Sequence, residues 1–317
     1  MRYWSSSYLA LQGTFGELSC GSGSAVGLSS SRNSQKNLSW QKINRRTFTN
    51  NLVTLISLAA GQDLSVSSAY AEDQPRSTQE EGLETIQMEL RKVLKRPKAA
   101  GILRLVFHDA GTFNCIKHTG GMNGSIQFEL GRPENSGLDR SIKILDLVKT
   151  SLDTTLQVSW ADLIAVAGAE AVSICGGPKI PVKLGRLDAS IADPEGELPE
   201  ESFNASSLKG NFSKKGFMTR EMVVLSGAHT LGSKGFGNPL VFDNAYFKVL
   251  LQKPWTQIGN EMGSMTGLPS DRSLLDDDEC LRWINYYAND QAKFFEDFSS
   301  AYVKLVNSGV KWRTEVA

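Results

Sequence analysis

The sequence lacks several features that would point to particular classes of protein. Its 317 residues carry no net charge, so composition gives no reason to expect binding to nucleic acid or to an anionic membrane surface. The chain has few cysteines, which are widely spaced and form no CxxC pair: Cys20, Cys115, Cys175 and Cys280. This spacing argues against the disulfide framework of a small secreted domain and against a thiolate zinc site.

Histidine is equally scarce, and long apolar runs are missing. The chain contains only His108, His118 and His229, so any histidine chemistry must use these three side chains. One apolar run, LVTLISLAA at 52–60, is well short of the roughly 20 residues that cross a bilayer. We therefore expect no transmembrane anchor.

Acidic residues are nearly absent from the start of the chain. Glu17 is the only acidic residue before Asp63, and the first forty positions contain eleven serines. A basic, serine-rich and acid-poor segment is typical of an organelle transit peptide. We expect residues 1–71 to be a plastid targeting segment, and residues 72–317 to form one domain.

A second targeting signal follows the transit-like segment. Arg45-Arg46 is a twin arginine, the apolar run comes next, and Ala69-Tyr70-Ala71 fits a small-residue cleavage site. These features favour export to the thylakoid lumen. The alternative is that the twin arginine is coincidental and the protein stays in the chloroplast stroma. The sequence favours the lumen only slightly.

Helical periodicity dominates the rest of the chain. Apolar residues recur at helical spacing in most segments between Gly- and Pro-rich connections. The pattern predicts a mainly α fold with one core and long functional loops. The expected helices cover 80–94, 98–110, 138–152, 159–175, 219–230, 243–252 and 280–308.

A first chemical motif lies on the second of these helices. Arg104 and His108 are four residues apart and share one helix face, with Phe107 beside them. A neutral imidazole can move a proton between the two oxygens of a peroxide. A guanidinium can stabilise the negative charge that develops on the leaving oxygen. Taken alone, however, such a spacing is weak, and a surface arginine near a partly buried histidine explains it equally well.

The surrounding phrases make the motif specific. They run in one order through nearly all of residues 72–317 and resemble the class I haem peroxidases. The phrases are LRLVFHDAGTF (103–113), GGMNGSIQFE (120–129), ENSGL (134–138), SWADLIAVAG (159–168), GGPKIPVKLGRLDA (176–189), DPEGELP (193–199), VVLSGAHTLG (223–232), NPLVFDNAYF (238–247) and LPSDRSLL (268–275). The resemblance implies a haem peroxidase fold of about ten helices, with one haem b per chain between a distal and a proximal helix. It also implies hydrogen peroxide and a small reductant as substrates.

The resemblance implies roles for the distal residues. Arg104 and His108 match the catalytic pair. Phe107 takes the aromatic position beside them, where ascorbate peroxidases usually have Trp. Asn135 matches the residue that hydrogen-bonds the distal histidine and sets its tautomer. The alternative for Asn135 is an ordinary turn residue beside Gly137.

The proximal roles fall on His229 and Asp271. Small residues before His229 allow a flat cofactor to approach the helix, and a neutral imidazole can serve as the axial ligand of haem iron. A lone histidine near a helix C-terminus more often faces the helix dipole, and the resemblance reverses that expectation. Asp271 matches the carboxylate that accepts from the ligand's other nitrogen. It could also cap the following helix, or do both.

The sequence departs from ascorbate peroxidase after His229. Only residues 233–237 separate Gly232 from the NPLVFDN phrase, and this short connection lacks the Trp and the ascorbate-binding Arg of that family. Phe236 could fill the space of the missing Trp. Ascorbate binding at the usual site is therefore in doubt.

A structural cation is also left open. A site of the ascorbate peroxidase kind would use Thr230, Asn238 and Asp243, but some of its partners fall in the shortened connection. The Phe and the short connection resemble those of the ascorbate-peroxidase-related chloroplast proteins of plants.

Three kinds of function follow from these expectations. The first is an active peroxidase that protects the plastid from oxidative stress and uses a donor other than ascorbate at the usual site. The alternative is a catalytically weak or haem-free relative with a binding or regulatory role, or a haem sensor that turns over slowly. Association with other peroxidases is compatible with any of these. We expect His118 to lie in an exposed loop without a role.

Overall fold

The computed structural model describes residues 78–252 and 266–314. The expected targeting segment, 1–71, lies outside these residues. The described part forms ten α-helices and no β-strand, with two isolated β-bridges, which confirms the expected mainly α class. The helices are α1 (Thr78–Val93), α2 (Arg96–Ala110), α3 (Asp139–Leu152), α4 (Trp160–Ile174), α5 (Ala205–Ser213), α6 (Thr219–Ser226), α7 (Ala245–Leu250), α8 (Pro269–Ser273), α9 (Asp278–Asn289) and α10 (Gln291–Val306).

The first group of helices is built around α2 and α4. Pro97 lies in the first turn of α2, where its fixed φ favours helix and its missing N–H costs no hydrogen bond. The side chain of Ser159 caps α4 by accepting from the backbone N–H of Asp162 at 3.0 Å. Because α4 is apolar on nearly every face, it lies buried with α2 packed against it and α1 alongside.

The second group consists of α6, α7, α9 and α10, which pack on one another. Its centre is aromatic, and Phe242 stacks on Phe294 with ring centroids 5.4 Å apart. The helix α10 also contacts α2 and so joins the two groups. This arrangement places the histidine of α2 and the histidine that follows α6 in the space between them.

Two expected helices differ from the structure in a way that matters for the site. The segment 219–230 is not one α-helix, because α6 ends at Ser226 and a single 3₁₀ turn, Gly227–Thr230, carries His229. The segment 280–308 is two helices. Asp290 breaks it with extended backbone at φ −131°, and its side chain caps α10 by accepting from the N–H of Lys293.

Smaller differences concern short helices. The expected helix 243–252 covers only Ala245–Leu250, and the short helices α5 and α8 were not expected. Across the described residues, no helix has both the length and the apolar character needed to cross a membrane.

Candidate active site

A cavity of about 580 Å³ lies between α2 and the 3₁₀ turn after α6. Its volume is in the range of small-molecule and cofactor sites, about 300–1,000 Å³. Arg104, Phe107 and His108 line it from α2, and His229 lines it from the turn. The structure therefore brings the distal and proximal residues expected from the sequence to one cavity.

His108 is held by a buried amide. Its Nδ1 lies 2.7 Å from Oδ1 of Asn135. The Asn135 side chain is oriented in turn, because its Nδ2 donates to the carbonyl of Glu129 at 2.9 Å. An amide oxygen can only accept, so Nδ1 of His108 carries the proton and Nε2 keeps its lone pair. The alternative that Asn135 is merely a turn residue does not account for this bond, although Asn135 also ends a 3₁₀ turn.

The electrostatics keep His108 neutral. Burial lowers its pKa to about 4, the Asn135 hydrogen bond opposes this shift, and the charge of Arg104 adds to it. At neutral pH the imidazole is therefore a free base that is ready to take a proton.

Arg104 is anchored to the same turn that carries Asn135. Its Nη1 donates to the carbonyl of Ser136 at 2.8 Å and its Nη2 donates to the carbonyl of Glu134. A guanidinium has five N–H donors, so these two bonds leave others for a ligand in the cavity. Desolvation lowers the pKa of Arg104, and the charge of Glu201 opposes the shift.

Phe107 forms part of an aromatic wall. Its ring stacks on Phe212 of α5 with centroids 6.1 Å apart, and it meets His108 edge-on at 6.3 Å. Phe212 itself lines the cavity. Because α5 was not expected, Phe212 was not predicted as a site residue.

His229 is held by a buried carboxylate. Its Nδ1 lies 2.8 Å from Oδ1 of Asp271, and 39% of the His229 side chain remains accessible even though protein surrounds it. That accessible part faces the cavity. Burial by itself lowers the pKa of His229, but the charge and hydrogen bond of Asp271 outweigh burial, and the net shift is upward.

Asp271 has three partners. Oδ1 accepts from His229 and from the hydroxyl of Tyr246, the latter at 2.9 Å, while Oδ2 accepts from the N–H of Leu268 at 2.8 Å. Asp271 is not the N-cap residue that was expected, because it is the third residue of α8 and Leu268 is the N-cap. Its bond to the Leu268 N–H still closes the first turn of α8, in addition to the bond to His229. Burial opposes ionisation of Asp271, but these donors hold its pKa below the usual value.

Tyr246 is the main proximal residue that was not predicted from the sequence. It is fully buried on α7, and its ring meets His229 edge-on with centroids 6.1 Å apart. Phe236, the expected filler, is buried and packs on Tyr246 at 4.6 Å. The phrase NPLVFDNAYF contained Tyr246, but local sequence could not indicate that its hydroxyl meets a carboxylate 25 positions away.

The small residues before His229 serve two different purposes. Ala228 lines the cavity, as expected for the approach of a flat group. Gly227 instead faces the aromatic core, where a Cβ would lie 2.6 Å from Phe294 and 2.9 Å from Phe247. Gly227 is therefore needed for close packing of the turn on α7 and α10.

Of the three candidate cation ligands, Thr230 and Asp243 are hydrogen-bonded to each other, and the Asn238 side chain bonds elsewhere. The hydroxyl of Thr230 donates to Oδ1 of Asp243 at 2.9 Å, and the same oxygen accepts from the N–H of Ala245. Asn238 is exposed, and its carboxamide oxygen accepts from the N–H of Leu240. Within 78–252 and 266–314, no group of three or more His, Cys, Asp or Glu side chains is arranged to hold a metal ion.

Charged residues at the mouth of the cavity were also missed. Glu200, Glu201 and Lys234 line it, and Nζ of Lys234 lies 3.9 Å from Oε1 of Glu201. By contrast, His118 is exposed in its loop, as expected, with φ +53°.

The residues around the cavity fit a haem. A haem iron requires an axial ligand from the protein, and a proximal histidine with a hydrogen-bonded second nitrogen is one of the usual choices. His229 presents an imidazole to a mostly apolar cavity, with Nδ1 held by Asp271. The neutral imidazole of His108 and the guanidinium of Arg104 lie on the other helix that lines it.

Comparisons with known proteins identify the family of the chain. The family model described as Peroxidase matches residues 84–238. The chain is 64% identical over 227 residues to "Putative L-ascorbate peroxidase 6" of Arabidopsis thaliana, covering 72% of this chain and 69% of that protein. It is 39% identical over 240 residues to the peroxisomal L-ascorbate peroxidase 5 of the same plant, covering 72% and 82%. It is 37% identical over 240 residues to "Putative heme-binding peroxidase" of Pyricularia oryzae, covering 66% and 79%.

The fold, the site and these similarities define a haem peroxidase, and the chain belongs to the peroxidase family. Within that family it is a class I plant peroxidase related to the ascorbate peroxidases.

Proposed function

We propose that the protein binds one haem b through His229 and reduces hydrogen peroxide with the help of His108 and Arg104. The observation that carries the proposal is the contrast between the two cavity histidines. One is paired with an amide and stays neutral, and the other is paired with a carboxylate.

His108 acts as the proton carrier. Its Nε2 takes a proton from the peroxide oxygen that stays and delivers it to the oxygen that leaves as water. The bond from Nδ1 to Asn135 keeps the ring in the tautomer that this transfer needs. The lowered pKa of His108 means that the acceptor nitrogen is unprotonated at neutral pH.

Arg104 and Phe107 complete the distal side. The guanidinium supplies positive charge where the departing oxygen becomes negative. Its anchorage on the Glu134 and Ser136 carbonyls holds that charge beside the cavity without a cost of reorganisation. Phe107, stacked on Phe212, restricts water near the reacting oxygens.

On the proximal side, a haem iron held by His229 would supply the electrons that break the O–O bond. Asp271 fixes the orientation of the imidazole and increases its electron donation, because its carboxylate accepts from Nδ1. The Tyr246 hydroxyl and the Leu268 N–H keep the carboxylate in position.

We further propose that the donor is a small reductant other than ascorbate at the usual site, and that the protein protects the plastid. The connection 233–237 lacks an arginine, and two carboxylates, Glu200 and Glu201, line the mouth of the cavity. Lys234 lies at the same mouth and pairs with Glu201, so the net charge of these three residues is still negative and disfavours an anionic donor such as ascorbate. The composition of residues 1–71 supports plastid import, with the lumen slightly favoured over the stroma.

The test is an absorption spectrum of the chain after addition of haem, before and after one equivalent of H2O2. We expect a Soret band of histidine-ligated haem that shifts when peroxide is added. His229→Ala should lose retained haem, whereas the matched control His118→Ala should bind haem as the wild type does.

Free haem in the wild type would contradict the proposal and favour a binding or regulatory role for the fold. Normal haem uptake by His229→Ala would show that the ligand lies elsewhere.

A further inference from the structure

A chain of aromatic rings leads from the proximal histidine to the protein surface. Ring centroids are 6.1 Å apart for His229 and Tyr246, 5.0 Å for Tyr246 and Phe247, 5.2 Å for Phe247 and Tyr287, and 6.1 Å for Tyr287 and Trp283. All four spacings are in the range of direct ring contact, about 4.5–7 Å. The rings therefore form an unbroken path from the cavity to α9.

The hydroxyl of each tyrosine on this path donates a hydrogen bond to a carboxylate. Tyr246 donates to Oδ1 of Asp271 at 2.9 Å, and Tyr287 donates to Oδ2 of Asp297 at 2.9 Å. A phenol that loses an electron becomes strongly acidic, so its oxidation is easiest where a hydrogen-bonded base accepts the proton. Simple core packing does not require a carboxylate partner for each hydroxyl.

The outer end of the path is exposed. Tyr286 is 43% exposed, and its ring lies 5.9 Å from Trp283 and 5.6 Å from Tyr287. The guanidinium of Arg220 lies 5.0 Å from the Trp283 ring and is ion-paired with Asp297. Asp297 offsets the charge of Arg220, but a second guanidinium, that of Arg282, lies 5.7 Å from the same ring. The remaining positive charge makes the indole harder to oxidise and, once oxidised, a stronger oxidant of phenols.

We propose that Trp283 and Tyr286 form a second oxidation site, at which bulky phenolic donors too large for the cavity are oxidised. Their electrons reach the cavity through Tyr287 and Tyr246, with Phe247 as the packed bridge. The inference rests on the proposed peroxidase function, which provides the oxidant.

The electrons and protons balance. Each H2O2 takes two electrons and two protons and yields two water molecules. Each phenol at the surface gives one electron to the oxidised indole and releases its O–H proton, so two phenols become two phenoxyl radicals per peroxide. Tyr246 and Tyr287 pass their protons to Asp271 and Asp297 when oxidised and recover them when reduced, which leaves no net change in the chain.

The location of the radical tests the path directly. In haem-loaded protein frozen after one equivalent of H2O2 without donor, electron paramagnetic resonance should detect a tryptophan radical, identified by ring-deuterated Trp. Trp283→Phe should abolish this signal. Trp312→Phe is a matched control and should retain it, because Trp312 is 41% exposed, also has an arginine 5.0 Å from its ring, and lies off the path. Tyr287→Phe should confine the radical to a tyrosine.

The donor test uses a phenol coupled to a dextran too large to enter the cavity, compared with the free phenol. We expect the ratio of initial rates, coupled over free, to fall about tenfold or more in Trp283→Phe and to stay unchanged in Trp312→Phe.

The inference is overturned if the wild type ignores the coupled phenol while oxidising the free one, or if Trp283→Phe and Trp312→Phe behave alike in both experiments. If the wild type oxidises neither phenol, the proposed peroxidase function itself fails, and the second site fails with it.

Discussion

The two histidines of the cavity are the same side chain placed in opposite environments. His108 meets a neutral amide, and burial lowers its pKa to about 4. His229 meets a carboxylate, which outweighs burial and raises its pKa. The same side chain thus suits two different roles in the proposed function, because the partner of Nδ1 decides whether the ring is better suited to act as a free base or as an electron-rich ligand.

Neither partner is a sequence neighbour. Asn135 lies 27 positions from His108, and Asp271 lies 42 positions from His229. Three changes test this difference between the histidines: removal of the His108 ring, neutralisation of Asp271, and replacement of Asn135 by a carboxylate.

The largest effect should follow removal of the distal ring. His108→Leu should keep haem but slow the reaction with H2O2 by about 10²–10⁴, because the general base is lost while the ligand remains. Stopped-flow measurement of the spectral change after mixing with peroxide gives the rate constant. His118→Leu, on an exposed loop, is the control and should react at the wild-type rate, and equal rates for both variants would refute the distal role of His108.

A smaller effect should follow neutralisation of the proximal partner. Asp271→Asn keeps an acceptor oxygen but removes the charge, so haem retention should weaken by about 10- to 100-fold. Transfer of haem to an excess of apomyoglobin measures the change. Asp276→Asn, which alters an exposed carboxylate, should not change retention, and an unchanged Asp271→Asn would argue that the carboxylate only caps α8.

The ionisation of His108 should have the smallest effect on the rate of reaction with peroxide at neutral pH. Because its pKa is about 4, the rate of reaction with peroxide should be constant near neutral pH and fall as the pH drops through about 4, when the base becomes protonated. The Asn135 bond raises the pKa, so Asn135→Ala should move this fall to lower pH. Asn135→Asp, which imitates the proximal pair, should move it to higher pH. Shifts of both variants in one direction would contradict the assignment.

The parts of the site that were predictable are those that depend on helix geometry or on the family phrases. The spacing of Arg104 and His108 on α2 follows from 3.6 residues per turn. The contacts of Asn135 and Asp271 with the two histidines were expected from the resemblance alone, since no local pattern links residues so far apart.

The parts that were missed depend on tertiary packing or on caps that were overlooked. Tyr246 reaches Asp271 only because α7 packs against the turn that carries His229. The break at Asp290 and the start of α5 did carry a signal. Asp290 and Asn204 are both good N-cap residues, and each accepts from a backbone N–H three positions later.

The turn at 134–136 orients both distal side chains, Arg104 and His108. The Asn135 side chain accepts a hydrogen bond from the imidazole, while the carbonyls of the residues on either side accept from the guanidinium. If α2 alone were transplanted to another helical scaffold, both side chains would be carried over, but their hydrogen-bond partners on the turn would be left behind. The smallest portable unit of this chemistry is therefore the helix together with its turn, and a one-residue insertion in the turn would detune the base and the cation at the same time.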